Sequence, residues 1–199
     1  MRKGLATRQA ILHSAVETAC LQGLTGLNLQ PLADKVGLTK SGLFAHFGSK
    51  EALQLATLNR AAELFQKTVV APAKTEPAGL PRIQGVFDRW LQWPGNAGLP
   101  GSCPFFAAVV ELDDTDGPLR DRLVRLFRDF QQVIEQLVAS AVRHRHLRPD
   151  ADPTQFAHEL LAIRYAHHWC AALMRDPGSM ARTRAAFAGL VTRGRSAAA

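Results

Sequence analysis

The chain has 199 residues and a formal charge of +7, and 47% of its residues are apolar. That composition supports a packed core and excludes a wholly disordered chain, and no apolar run approaches the roughly 18 residues that span a bilayer. Cys20, Cys103 and Cys170 offer neither a zinc-ligand spacing nor a disulfide framework. The basic start, Met1-Arg2-Lys3-Gly4, lacks the apolar stretch of a secretory signal, so a cytoplasmic location without membrane partners is expected.

The pattern along the chain is helical, with no convincing alternation for a strand. Ile11, Leu12, Ala15, Val16 and Ala19 make a helical stripe over residues 7–21, and Gly23 stops it. Asn28 is placed to cap a second helix that tolerates Pro31 in its first turn and ends at Gly37. After the short break Gly37-Leu38-Thr39, a third helix is expected from Lys40 to Phe47. Ser49 caps a long fourth helix running from Lys50 to about Val70. Pro72 to Pro81 is a connector. The next helix carries Ile83, Phe87, Trp90 and Leu91, and a loop follows from Pro94 to Pro104. Phe105 to Leu112 is a short apolar helix closed by Asp113-Asp114-Thr115-Asp116-Gly117. Pro118 opens the longest helix, to about His146, and Asp152-Pro153 opens another, to about Met174. A last helix reaches about Arg193, before an alanine tail expected to fray. The expected fold class is all-α with about nine helices. An N-terminal helix-turn-helix domain is expected over residues 1–50, and a larger helical domain over residues 51–199.

Charge is concentrated at the N-terminal end. Residues 1–50 hold six Lys/Arg (Arg2, Lys3, Arg8, Lys35, Lys40, Lys50) against Glu17 and Asp34, a net +4. Two short helices joined by a tight Gly-containing turn form a helix-turn-helix, whose second helix enters the major groove. Over Asn28–Phe47, Leu43 and Phe47 would anchor that helix while Thr39, Lys40, Ser41 and His46 stay outside. Arg2, Lys3 and Arg8 suggest a basic arm, or simply a frayed tail.

Gly23 and Gly26, Asn28-Leu29-Gln30-Pro31-Leu32-Ala33, Gly37 through Phe47, and Ser49-Lys50-Glu51-Ala52-Leu53 closely resemble the DNA-binding signature of TetR-family regulators. The resemblance implies base contacts by Gln30, Lys40 and Ser41, and phosphate contacts by Asn28, Thr39, His46 and Lys50. Lysine suits guanine acceptors and glutamine suits adenine. Phe44 stands where the family usually has tyrosine and loses the hydroxyl. Ala45 offers at most a methyl contact, and Gly42 adds no side chain. Shape readout then carries more of the specificity.

The resemblance also implies a homodimer through the last two helices, a palindromic double-stranded DNA operator, and a small-molecule effector. Phe87, Trp90, Cys103, Phe106 and Phe127 are candidate pocket residues. Phe130, Tyr165, His168 and Trp169 complete that set, which suits an apolar or aromatic ligand. An enzyme is disfavoured: neither a phosphate loop nor a nucleophile elbow is present. The pairs His144/His146 and His167/His168 diverge on a helix, so neither is expected to hold a metal, and no cofactor is implied. Glu111 and the aspartates after it read as solvated helix termination. The expected function is a ligand-responsive repressor released from its operator by the effector. The alternative is a helical interaction module whose DNA binding is weak or lost.

Overall fold

The computed structural model describes residues 2–195, with side chains from residue 4 onward. Met1, the alanine tail expected to fray, and the side chains of Arg2 and Lys3 lie outside the described residues. Among the described residues there are nine helices and no strand. They are α1 (Arg2–Gln22), α2 (Leu29–Lys35), α3 (Lys40–Phe47), α4 (Lys50–Phe65), α5 (Leu80–Leu91), α6 (Pro104–Leu112), α7 (Pro118–Arg143), α8 (Pro153–His168) and α9 (Ser179–Gly194). The connector after α4 is shorter than expected. The helix runs on through a π-helical turn, Gln66–Val70, and the single turn Ala71–Ala73. A second π-helical turn, Trp169–Leu173, extends α8. The Asp152 carboxylate caps α8 as its sequence suggests, accepting the Thr154 and Gln155 N–H groups at 2.8 and 3.2 Å.

The chain packs as two compact units, each discontinuous in sequence. Of the described residues, unit 1 takes in those up to Thr68 and Gln92–Leu126, and unit 2 takes in Val69–Leu91 and those from Phe127 onward. In unit 1 the whole α1 stripe is buried, together with Leu24, Leu27, Leu32, Ala33, Leu43 and Leu53. α1 is the central strut, touching α2, α4 and α6. Phe65 meets Trp93 and Phe105 edge-on, with ring centres 5.4 and 6.0 Å apart.

Unit 2 is built on the α8–α9 pair. Phe87 stacks on Phe187 at 4.0 Å, and Trp90 meets Phe130 edge-on at 4.9 Å. A polar seam runs through this interior. Arg164 is 3% exposed, with its guanidinium over the Trp90 ring at 5.7 Å. His167 Nδ1 lies 3.0 Å from both the Thr183 and the Ser179 hydroxyls. Burial, and then the nearby Arg164 charge, hold His167 below its ordinary value of 6.5. The same two causes act on His168, with His167 as a third. Desolvation disfavours the charged imidazole, and a like charge adds to it.

Because the folded chain resists protonating His167, the unfolded chain binds more protons as pH falls below about 6.5. This contribution is complete above that pH and diminishes below it. Urea unfolding should therefore show lower stability at pH 5 than at pH 7, and His167→Asn should shrink the difference. An undiminished difference in the variant would assign the titration to other groups.

Candidate nucleic-acid interface

α3 is defined at both ends by local chemistry. Thr39 adopts an extended backbone, and its hydroxyl accepts the Gly42 N–H at 3.0 Å, the standard device for closing a helix N-terminus. Gly48, at φ +75°, stops the helix in the left-handed conformation, where glycine pays no steric penalty. Between them Leu43 is fully buried, while Gly42, His46 and Phe47 are half-buried. Lys40, Ser41, Phe44 and Ala45 are exposed on the other side.

The remaining predicted contacts are placed as follows. Asn28 sits at the N-terminal boundary of α2 with extended backbone, yet its side chain makes no capping bond, contrary to the capping role expected of it. Gln30 is exposed, and its amide donates to Asp34 Oδ1 at 2.7 Å, so reading a base requires exchanging that partner. His46 packs its ring near Phe47, with centres 6.4 Å apart. Arg8 is not a detached arm: it lies in α1 with its guanidinium 5.0 Å from the centre of the Phe47 ring. Lys35 pairs with Glu17 at 2.8 Å. Lys40 takes part in none of the ion pairs among the described residues.

Lys50 has a partner that sequence reasoning missed. Its Nζ donates to the Thr25 carbonyl at 3.0 Å, and Gln54 Nε2 donates to the Leu24 carbonyl at 2.9 Å. The N–H side of the same turn is taken by Glu111, which accepts from Leu24 N at 2.9 Å, Thr25 N at 3.2 Å and the Thr25 hydroxyl at 2.9 Å. Glu111 is therefore not a solvated helix end. Its partners lie 86 and 87 residues away in sequence, so no local pattern could have revealed them. The histidine expectation also changes. α7 ends at Arg143 and Arg145 takes a positive φ of 59°, so the His144 and His146 rings stack at 6.1 Å instead of diverging.

The expected pocket residues divide between the units. In unit 1, Cys103 and Phe106 are buried. Burial, then the Cys103 charge, push the Cys20 thiol up to about 12. In unit 2, Phe87 and Trp90 are buried, and Phe127, Phe130 and His168 are half-buried. Phe87 also lines an open groove with Leu80, Gln84, Arg184 and Phe187. Tyr165 and Trp169 lie on the surface, Trp169 being 69% exposed. In the single chain they line no interior.

Residues 11–57 match the model of the tetR family of bacterial regulatory proteins, and residues 79–187 match the tetracyclin repressor-like C-terminal domain. The chain belongs to the TetR family, whose members are DNA-binding transcriptional regulators and not enzymes. It is similar to a TetR transcriptional regulator from Chloroflexus aurantiacus J-10-FL, with 26% identity, 96% of each chain covered and a TM-score of 0.85. RutR, an HTH-type transcriptional regulator of Escherichia coli K12, is 35% identical over 69 residues. Those residues are 35% of this chain and 31% of RutR. AibR, solved with isovaleryl coenzyme A and operator DNA, is 22% identical with a TM-score of 0.63. That alignment covers 82% of this chain and 85% of AibR, and at such identity the likeness is one of fold.

Truncating the fully buried Leu43 to alanine should cost about 2–5 kcal/mol and melt the α2–α3 pair first. A thermal midpoint equal to that of the parent chain would contradict the burial.

Proposed function

We propose that the chain is a homodimeric, cytoplasmic repressor that reads a palindromic operator with α3 and is released by a small apolar or aromatic effector. The observation that carries the DNA-reading part is the two-sidedness of α3: Leu43 is sealed in the core while Lys40, Ser41, Phe44 and Ala45 are exposed. In this reading residues 1–50 supply the DNA grip, and residues 51–199 supply effector binding and dimerisation. Lys40, Ser41 and Gln30 address base edges. Asn28, Thr39, His46 and Lys50 address phosphates, with Lys50 first leaving the Thr25 carbonyl. Phe44 and Ala45 contribute apolar contact.

Dimerisation is supported by the surface of α8 and α9. Ala162, Tyr165, Ala166, Trp169 and Leu173 are exposed at helical spacing, and so are Ala181, Ala185 and Ala188 on α9. An apolar surface of this kind, with small residues that allow close approach, marks an interaction face. The complex of AibR with a ligand and DNA supports an effector-responsive reading for the fold. The aromatic residues Trp90 and Phe130, beside the Arg164 guanidinium, suit a ring-bearing ligand. Release requires only that the effector bind the two conformations of the dimer with different affinity.

Selection of bound duplexes from a random pool at two salt concentrations should return a two-fold symmetric consensus whose binding weakens steeply with salt. Weak binding with no consensus would favour the interaction-module reading, which the 47% exposure of Phe44 supports. On the selected duplex, Lys40→Ala should cost ~1–3 kcal/mol and relax preference at one position of each half-site. An unchanged preference would remove Lys40 from base readout. Ala185→Glu should shift the chain towards monomer in sedimentation, and an undisturbed dimer would place the interface elsewhere.

A further inference from the structure

We propose that Glu111 is a positioning residue for operator binding: from α6, its carboxylate fixes the α1–α2 turn and thereby the placement of the recognition helix. This deepens the regulator reading above and rests on it.

α1 ends at Gln22, and Gly23 turns the chain at φ +77°. The next two backbone N–H groups, of Leu24 and Thr25, both donate to Glu111 Oε2, and the Thr25 hydroxyl donates to Oε1. Three donors on one carboxylate make a charge-assisted clamp, stronger than neutral bonds of the same geometry. A side chain at Gly23 would collide with that carboxylate, so glycine keeps the space that the clamp needs. The carbonyls of the same two residues are taken from the opposite side by Gln54 and Lys50. The backbone N–H and carbonyl groups of Leu24 and Thr25, in the turn beyond α1, are thus satisfied by side chains of two other helices.

The loop leading into α6 holds α1 at a second point: the Ser102 N–H donates to the Cys20 carbonyl at 3.0 Å, so α6 and its entry loop together hold the last turn of α1 and the turn that follows it. α2 begins at Leu29, and Leu27, between the clamped turn and α2, is fully buried. Any movement of α6 relative to the turn breaks the clamp or carries α2 and α3 with it. Glu111 is a positioning residue because its carboxylate is engaged by the turn and acts on recognition only through it. The apolar core from Ile11 to Leu43 is complete without it. Losing the clamp loosens the turn, and DNA binding must then bear the cost of ordering it.

The test uses the full chain, the duplex recovered by selection, and the variants Glu111→Ala and Glu111→Gln. In Glu111→Ala, exchange of the Leu24 and Thr25 amides should accelerate, and operator affinity should fall at least tenfold in the folded protein. Base preference and salt dependence should match the parent chain. Glu111→Gln, which keeps an acceptor oxygen, should recover part of the affinity, a rescue that a simple loss of stability would not give. If Glu111→Ala fails to fold, Glu111→Gln and Thr25→Val carry the comparison. Affinity within twofold of the parent despite freed amides overturns the proposal, as does a changed base preference. If the parent chain selects no duplex, the regulator reading fails and the positioning role falls with it. If it selects one that the variants bind equally well, only the positioning role fails.

Discussion

An eight-residue helix has no stability of its own in water, and α3 has eight residues. It exists because Leu43 is sealed against the rest of unit 1 and because Thr39 and Gly48 define its ends. That constraint decides which side chains remain available for recognition. With Leu43 committed inward and Phe47 half-buried under the Arg8 guanidinium, the positions left outside are those of Lys40, Ser41, Phe44 and Ala45. Helix α2, against which α3 packs most extensively, and the buried start of α4 form the wall against which this short helix can stay folded.

Much of this organisation is legible in the sequence. α3 runs from Lys40 to Phe47 as its flanking breaks imply, and every residue of the α1 stripe is buried. Glycine, proline and capping residues are local signals, and helices answer to local signals. The misses share a different cause. Glu111 looks like part of an acidic helix end until the fold brings the α1–α2 turn to it. The contact of Lys50 with a carbonyl 25 residues away is invisible in its local pattern. Arg8 reads as a tail and is instead a packing partner of Phe47. The stacking of His144 on His146 depends on α7 ending at Arg143, a boundary shifted by three residues from the pattern-based one. Each of these follows from tertiary proximity or from a helix terminus, which apolar periodicity cannot fix.

Unit 2 carries a polar seam in its apolar interior and leaves several large apolar side chains outside. Arg164 keeps a permanent charge in the interior. His167 and His168 beside it are held toward the neutral form, first by burial and then by the Arg164 charge. On the surface, Trp169, Leu173 and Met174 are 69%, 75% and 68% exposed. Exposing them together in water forgoes burial worth about 25 cal/mol per Å². In the proposed dimer a second copy of the same face covers them, an isologous contact that needs no further partner.

The composition of α3 ties recognition to rigidity. Gly42 and Ala45 offer no hydrogen-bonding side chain, Phe44 has no hydroxyl, and Gln30 must leave Asp34 before it can read a base. In the proposed reading few groups therefore share the work of discrimination, each worth about 1–3 kcal/mol when well placed. Hydrogen bonds weaken steeply with misalignment, so with so few contacts a small displacement of α3 forfeits a large fraction of the total. A recognition surface rich in long polar side chains can adapt to such displacement more readily than one with few of them. Holding the turn ahead of α2 from both sides, through Glu111 on its N–H groups and Gln54 and Lys50 on its carbonyls, is the structural counterpart of that sparse chemistry.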